Sequence, residues 1–285
     1  MLLKQFIDLF DILDSSTAGG AQVAEYLKGI KKDANIETYT ITGPKGSTDM
    51  VKVRIPGKNG KSKGGTAPTI GLLGRLGGLG ARPEITGFVS DGDGALIALV
   101  LAAKLLDMQN KGDVLEGDVF VSTHVCPNAP TKPHFPVPFM GSPVEMAQVN
   151  KEEVSDELDA ILSVDTTKGN RIINHRGFAI SPTVKEGYIL KTSNDLLDIM
   201  QTTTGRLPKS ICLNRSGYYA LRQQPLPFEQ HSSAMYRDGC TRGRRGHYSG
   251  NSGAGLRHRS QPFHGYGGSC PFYAGNGQGL RQRNL

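Results

Sequence analysis

Residues 69–107, TIGLLGRLGGLGARPEITGFVSDGDGALIALVLAAKLLD, leave this chain few folds to choose from. TIGLLG (69–74) is a short apolar run of the kind that fills a central strand. RLGGLGARP (75–83) is too rich in glycine, and too firmly ended by proline, to continue as regular structure. SDGDG (90–94) supplies helix-starting residues. The segment from about Ala95 to Met108 is apolar on most of its faces, as a helix buried on several sides must be. A strand that delivers polar side chains to a helix start is where open α/β sheets place their ligands. Arg75, Arg82, Asp91 and Asp93 are therefore the first candidate functional residues.

The flanking segments supply the layers. Residues 3–13 and 20–30 have helical apolar spacing, with stop and cap chemistry between them in Asp14, Ser15, Ser16 and Thr17. IETYTIT (36–42) and MVKVRIP (50–56) alternate and are rich in β-branched residues, which predicts a hairpin. VFVST (119–123) and DAILSVDTT (159–167) are further strands. MGSPVEMAQVNKEEV returns to helix-like composition, and SNDLLDIMQTTTG (193–205) is a helix closed by glycine. The prolines up to Pro138 require an irregular loop between them. The order predicts an α/β domain over residues 1–209, three-layered αβα with a mostly parallel sheet.

Three familiar motifs fail on spacing. GKS in GKNGKSKGG (57–65) has Ile55 where a phosphate loop needs its first glycine, so a solvated polar turn is expected. RLGGLGARP puts Pro83 where a dinucleotide fingerprint needs glycine. The DGDG turn places Ala95 and Ala102 at calcium-ligand positions. What remains is a set of polar residues at strand ends. His124 and Cys126 are candidate catalytic residues, either as base and nucleophile or with His124 as a ligand. Asp91, His124 and Asp165 are candidate metal ligands, with Asp93 and His134 as weaker ones, for zinc or another divalent ion. Arg75, Arg82, His175 and Arg176 are candidate substrate contacts, since guanidinium groups grip carboxylates in bidentate fashion.

The net charge of +7 is unevenly distributed. Residues 210–285 hold ten arginines against two acids, whereas residues 1–209 hold 23 basic and 24 acidic residues. The tail has neither helical nor strand periodicity and is expected to be irregular. One reading makes it a disordered basic arm. The other makes it the product of a shifted reading frame. With permitted codons, residues 217–225 can be read in another frame as QDITPYGNN, 226–234 as YHLNSILQP, and 242–248 as VVGVAIT. On that reading the basicity carries no nucleic-acid function. The N-terminus has helical spacing with Lys4, Asp8 and Asp11 rather than a signal peptide's uncharged core. No apolar run reaches the ~18 residues of a membrane span. The expectation is a soluble cytoplasmic protein with a small-molecule partner and no membrane or nucleic-acid partner; an oligomer remains open.

Several motifs carry a resemblance: KGSTDMVKVRIPGKNGKS, GRLGGLGARPE, GFVSDGDGAL, STHVCPNAPTKPH, VPFMGSP, SVDTTKGNRIINHRGFAISPTVKEGYIL and LLDIMQTTTGR. Through them residues 1–209 resemble the family called domain of unknown function 1177. The order of elements is also similar, more remotely, to the two-metal aminopeptidases. That resemblance implies an aminopeptidase-like fold and peptide-bond hydrolysis. It sets Asp91 at the position of the metal-bridging aspartate and Asp165 at that of a later ligand. It also sets Arg75 and Gly77 where a histidine and an aspartate would stand, and Cys126-Pro127 near an acidic pair. It implies a metal-dependent hydrolase of small amide or peptide-like substrates, or a relative that kept the fold and only binds carboxylate ligands.

Overall fold

Alternation along β2 (Gly46–Ile55) and β4 (Val119–Val125) sorts the sheet into two faces. Val51, Val53, Val119, Val121 and Val125 join one core cluster with residues of α1 (Leu2–Asp14), α2 (Gly20–Ile30) and α3 (Asp93–Asn110). Met50 and Phe120 belong to clusters on the opposite face, with Val144, Val149, Val154 and Leu158 in and around α4 (Met146–Glu153). This computed structural model describes residues 2–75, 88, 92–133, 139–165, 178–180, 184–185, 188–189, 191–210 and 246–252.

The chain divides into two units, Met1–Asp165 and Thr166–Leu285. In the first, β1 (Asn35–Gly43) and β2 form an antiparallel hairpin, and β2 runs antiparallel to β4. From β4 onward the strands are parallel: β4 pairs with β3 (Ile70–Gly74), and β3 with β7 (Ala160–Asp165). The order β1-β2-β4-β3-β7 is thus a mixed five-stranded sheet with helices on both faces, an α/β three-layer architecture. A separate ribbon pairs β5 (Thr131–Lys132) with β6 (Phe139–Met140) inside the proline-rich segment. In the second unit β8 (Phe178–Ile180), β9 (Val184–Lys185) and β10 (Tyr188–Ile189) precede α5 (Asn194–Thr204). β11 (Gly246–Ser252) runs antiparallel to β8 and β9.

α3 is buried along most of its length because it lies between the sheet and α1; Ala95, Leu96, Ala98, Leu99, Ala102, Ala103 and Leu106 are all core residues. Its start presses on the strand ends. A Cβ on Gly94 would lie 2.1 Å from the Arg75 carbonyl oxygen, and one on Gly74 would lie 2.4 Å from that of Gly94. Only glycine permits this approach.

Capping of α2 differs from the sequence reading. Its N-cap is Gly19, and the cap hydrogen bond comes from the sheet: Gly20 N–H donates to Asp49 Oδ2 at 2.9 Å. Ser15 and Thr17 instead bond to one another.

The GKNGKSKGG loop is largely exposed and is anchored at Asp118. Gly57 N–H donates to Asp118 Oδ1, and Ser62 donates to Oδ2 through its backbone and to Oδ1 through its hydroxyl, at 2.8–2.9 Å. A Cβ on Gly60 would collide with that carboxylate at 1.7 Å. The amides that could have cradled a phosphate hold an aspartate.

Candidate functional site

The parallel strands β4, β3 and β7 end together, and their connections diverge: β3 leads to α3 on one face, β4 to α4 on the other. A crevice outside such strand ends is the general ligand position in open α/β sheets. Five described residues named from the sequence stand at or near this edge: Arg75, His124, Cys126, Asp165 and Asp93.

Arg75 is the first residue beyond β3, and its backbone N–H donates to the Val164 carbonyl at 2.7 Å. Its side chain is 7% exposed and meets Glu153 of α4, Nη1 to Oε2 at 2.7 Å, while the Glu153 side chain is fully buried. Nε donates to Ser163 Oγ at 3.4 Å, and Ser122 Oγ donates to Glu153 Oε1 at 3.4 Å. Both bonds are long, so the pair is charge-compensated but thinly hydrogen-bonded. Burial pushes the Glu153 carboxyl above its ordinary range; Arg75, Ser122 and Lys52 oppose that without overcoming it.

His124 is 2% exposed on β4, with Nδ1 2.8 Å from Thr48 Oγ1. The Thr48 hydroxyl also donates to the Val125 carbonyl at 3.1 Å. Cys126, just past β4, is 1% exposed, and its thiol donates to the Ser47 carbonyl at 3.6 Å. Burial pushes that thiol up to about 11, so at neutral pH it is protonated and has the surroundings of a structural cysteine. Thr123 Oγ1 donates to the Gly74 carbonyl at 3.0 Å, tying β4 to the end of β3.

Asp165 closes β7 and is half-buried, as is Asp93 at the first turn of α3. A Cβ on Gly94 would lie 2.7 Å from the Val164 carbonyl, so the start of α3 and the end of β7 are in contact. Asp93 and Asp165 therefore share one edge. Arg82, Asp91, His134, His175 and Arg176 lie outside the described residues.

A two-metal centre does not assemble from the described residues alone. The side chain at the end of β3 is a guanidinium, which cannot ligate a metal and is already paired with Glu153. Among the described residues no three His, Cys, Asp or Glu side chains group as metal ligands.

Sequence reasoning missed Glu153, Ser122, Ser163 and Thr48. The signal for Glu153 was available. Met146, Val149 and Glu153 recur at helical spacing, which places the glutamate on the apolar face of α4. Thr48 has no such signal, since its partner lies 76 residues away.

This sheet order, with helices on both faces and its polar edge at the parallel strand ends, defines an aminopeptidase-like α/β protein, and solved structures agree on the fold. The bottromycin maturation enzyme BotP is 13% identical with a TM-score of 0.52, over 87% of this chain and 62% of its own. A tomato leucine aminopeptidase mutant is 10% identical with a TM-score of 0.53, over 87% of this chain and 55% of its own. The chain thus spans less than two thirds of the length of either. No curated protein sequence matches it. It belongs to the family described as "Protein of unknown function (DUF1177)", whose model matches residues 39–217. Among the described residues no helix is long and apolar enough to cross a membrane.

Proposed function

We propose that this chain is a hydrolase of the aminopeptidase-like fold that takes a small amide or peptide-like substrate at the ends of β3, β4 and β7. The observation that carries the reading is that Arg75, His124, Asp93 and Asp165, one cation, one imidazole and two carboxylates, stand at or near one edge of the sheet. In this reading His124 acts as base or ligand, Asp165 and Asp91 anchor the substrate or a divalent ion such as zinc, and the protein works in the cytoplasm. The test is turnover of a panel of aminoacyl amides and short peptides by the full chain, with and without added zinc or manganese, alongside metal analysis. Turnover lost in Asp165→Ala and His124→Ala, with circular dichroism unchanged, supports the hydrolase. Equal turnover in both variants sinks it.

A second reading is a carboxylate-binding protein without catalysis, in which a ligand would have to compete with Glu153 for the Arg75 guanidinium. Calorimetric binding of small carboxylates without turnover would favour it. We further infer that the basic tail from residue 210 is a frame-shifted product with no nucleic-acid role. The nucleotide sequence decides this, since codons at 217–248 that forbid the second frame end the idea.

A further inference from the structure

We propose that the outer edge of β1 is the surface through which two copies of this chain pair, strand to strand and antiparallel, into one continuous sheet. The inference does not depend on any reaction at the parallel strand ends.

β1 stands at the end of the order β1-β2-β4-β3-β7, so one of its sides has no neighbouring strand. Its hairpin with β2 closes on Gly43 and Gly46, and the pairing runs without a bulge to Asn35 and Arg54. The residues that close a two-residue turn exchange backbone hydrogen bonds, and alternate residues along the strand do the same. The odd-numbered residues of β1 therefore direct their backbone groups to β2, and Ile36, Thr38, Thr40 and Thr42 turn theirs outward. Gln148 of α4 fits this phase, since its Nε2 donates to the Thr42 carbonyl at 3.2 Å. Among the described residues nothing pairs with the outward backbone groups of Ile36, Thr38 or Thr40, and Thr38 and Thr40 are exposed. The polar side chains, in contrast, are used within the chain: the Thr40 hydroxyl donates to Asp49 Oδ1 at 2.7 Å, and the Tyr39 hydroxyl donates to Glu152.

Edge strands are normally blunted by shortness, by lysine or proline, by a bulge or by a covering element. NIETYTITG is nine residues long, contains no lysine or proline, and has Glu37 as its one charge. A row of outward N–H and C=O groups is met by another extended strand, and β1 itself fits. Centring a two-fold axis on Thr38 sets it opposite Thr38 of the second copy, and sets Ile36 opposite Thr40. All three open residues are then used in both copies, through about six hydrogen bonds. Centring the axis on Tyr39 would instead need the Thr42 carbonyl, against which Gln148 stands. In the Thr38 register Glu37 lies opposite Tyr39 rather than another Glu37, so no like charges meet across the axis. The same surface serves both copies, as a two-fold interface requires. One strand pair is a small contact, so the association should be reversible and in the micromolar range.

The experiment is sedimentation velocity of the full chain over a concentration series, with a cross-link to locate the contact. The expected result is a dimer, with twice the 30.6 kDa mass of the chain, formed by roughly 100 μM. Thr38→Lys leaves the β1–β2 ladder intact, because position 38 directs no backbone group there, and sets two ammonium groups against each other at the axis. It is expected to weaken the dimer by about 10-fold or more. Thr38→Cys, in a chain with Cys212, Cys240 and Cys270 replaced by serine, should give a covalent dimer with a short bismaleimide, since directly opposed Cα atoms lie about 5.5 Å apart. Glu116→Cys in the same background, exposed but away from β1, should not. A chain still monomeric at that concentration overturns the proposal, whether or not the edge takes an extended peptide, and so does a dimer that Thr38→Lys leaves unchanged. If Thr38→Lys fails to fold, the cross-link decides: no covalent dimer from Thr38→Cys, or as much from Glu116→Cys, overturns the pairing.

Discussion

The two ends of the parallel strands treat their carboxylates in opposite ways. At the N-terminal end Asp118 takes three hydrogen bonds from Gly57 and Ser62. Asp159 beside it accepts the Thr69 N–H at 2.7 Å and pairs with Lys61. At the C-terminal end Glu153 is more deeply buried, has one cation at 2.7 Å and a single long hydroxyl contact. Burial raises the Asp118 carboxyl, but the hydrogen bonds from Gly57 and Ser62 outweigh it and bring it below the ordinary value, whereas burial wins for Glu153. The first arrangement closes a loop. The second holds a buried ion pair at the other end of the strands with fewer hydrogen bonds.

The largest effect should come from breaking the pair at the C-terminal end. Glu153→Ala leaves Arg75 buried and uncompensated, which costs about 3–5 kcal/mol, while Arg75→Met with Glu153→Leu should recover most of that loss. Chemical denaturation measures both; a Glu153→Ala loss below about 1 kcal/mol would mean the pair is not buried in solution. The pH dependence separates the two ends. Because the folded-state pKa of Glu153 is raised, the folded chain binds the extra proton between the unfolded and folded values. Stability from this group therefore falls as pH rises through that window, starting above about 4.3. Glu153→Gln should flatten that limb.

Asp118 comes next. Asp118→Ala orphans the Gly57 and Ser62 amides and should cost about 2–3 kcal/mol. Its pH signature is the reverse. A lowered folded pKa contributes stability that is present above the unfolded value near 3.9 and is lost as pH falls through the folded one. An acid limb unchanged in Asp118→Asn would remove the contrast between the ends.

Most of the fold was legible because periodicity is local. The strand and helix spans predicted around residues 36–56, 69–74, 95–108, 119–123 and 193–205 all appear within a few residues. The parallel core followed from strand, helix, strand order. The site was less legible because its partnerships are long-range. Arg75 and His124 can be picked out by their position at strand ends. That Arg75 meets Glu153 depends on α4 crossing the face opposite α3, and that His124 meets Thr48 depends on the antiparallel register of β2 with β4.

Cys126 checks whether the C-terminal end is reactive or merely buried. With its thiol pushed up to about 11, iodoacetamide at pH 8 should alkylate it roughly 100-fold more slowly in the folded chain than in urea, followed on its own peptide by mass spectrometry. Equal rates would revive the Cys126–His124 nucleophile reading and move that end from thinly bonded to chemically active.

The smallest effect isolates what burial contributes. Arg54 and Glu157 form an ion pair at 2.6 Å, as short as the Arg75–Glu153 contact and made by a residue only four positions further along. Their side chains are 51% and 62% exposed, so water already solvates both charges. A double-mutant cycle of Arg54→Ala and Glu157→Ala should give a coupling below about 0.5 kcal/mol. Any larger loss in Arg54→Ala alone should come from its guanidinium lying 5.3 Å over the Phe120 ring, and should persist when Glu157 is absent. A strong coupling at this exposed pair would mean that proximity rather than burial sets the energies. The difference between the two ends of the sheet would then need another cause.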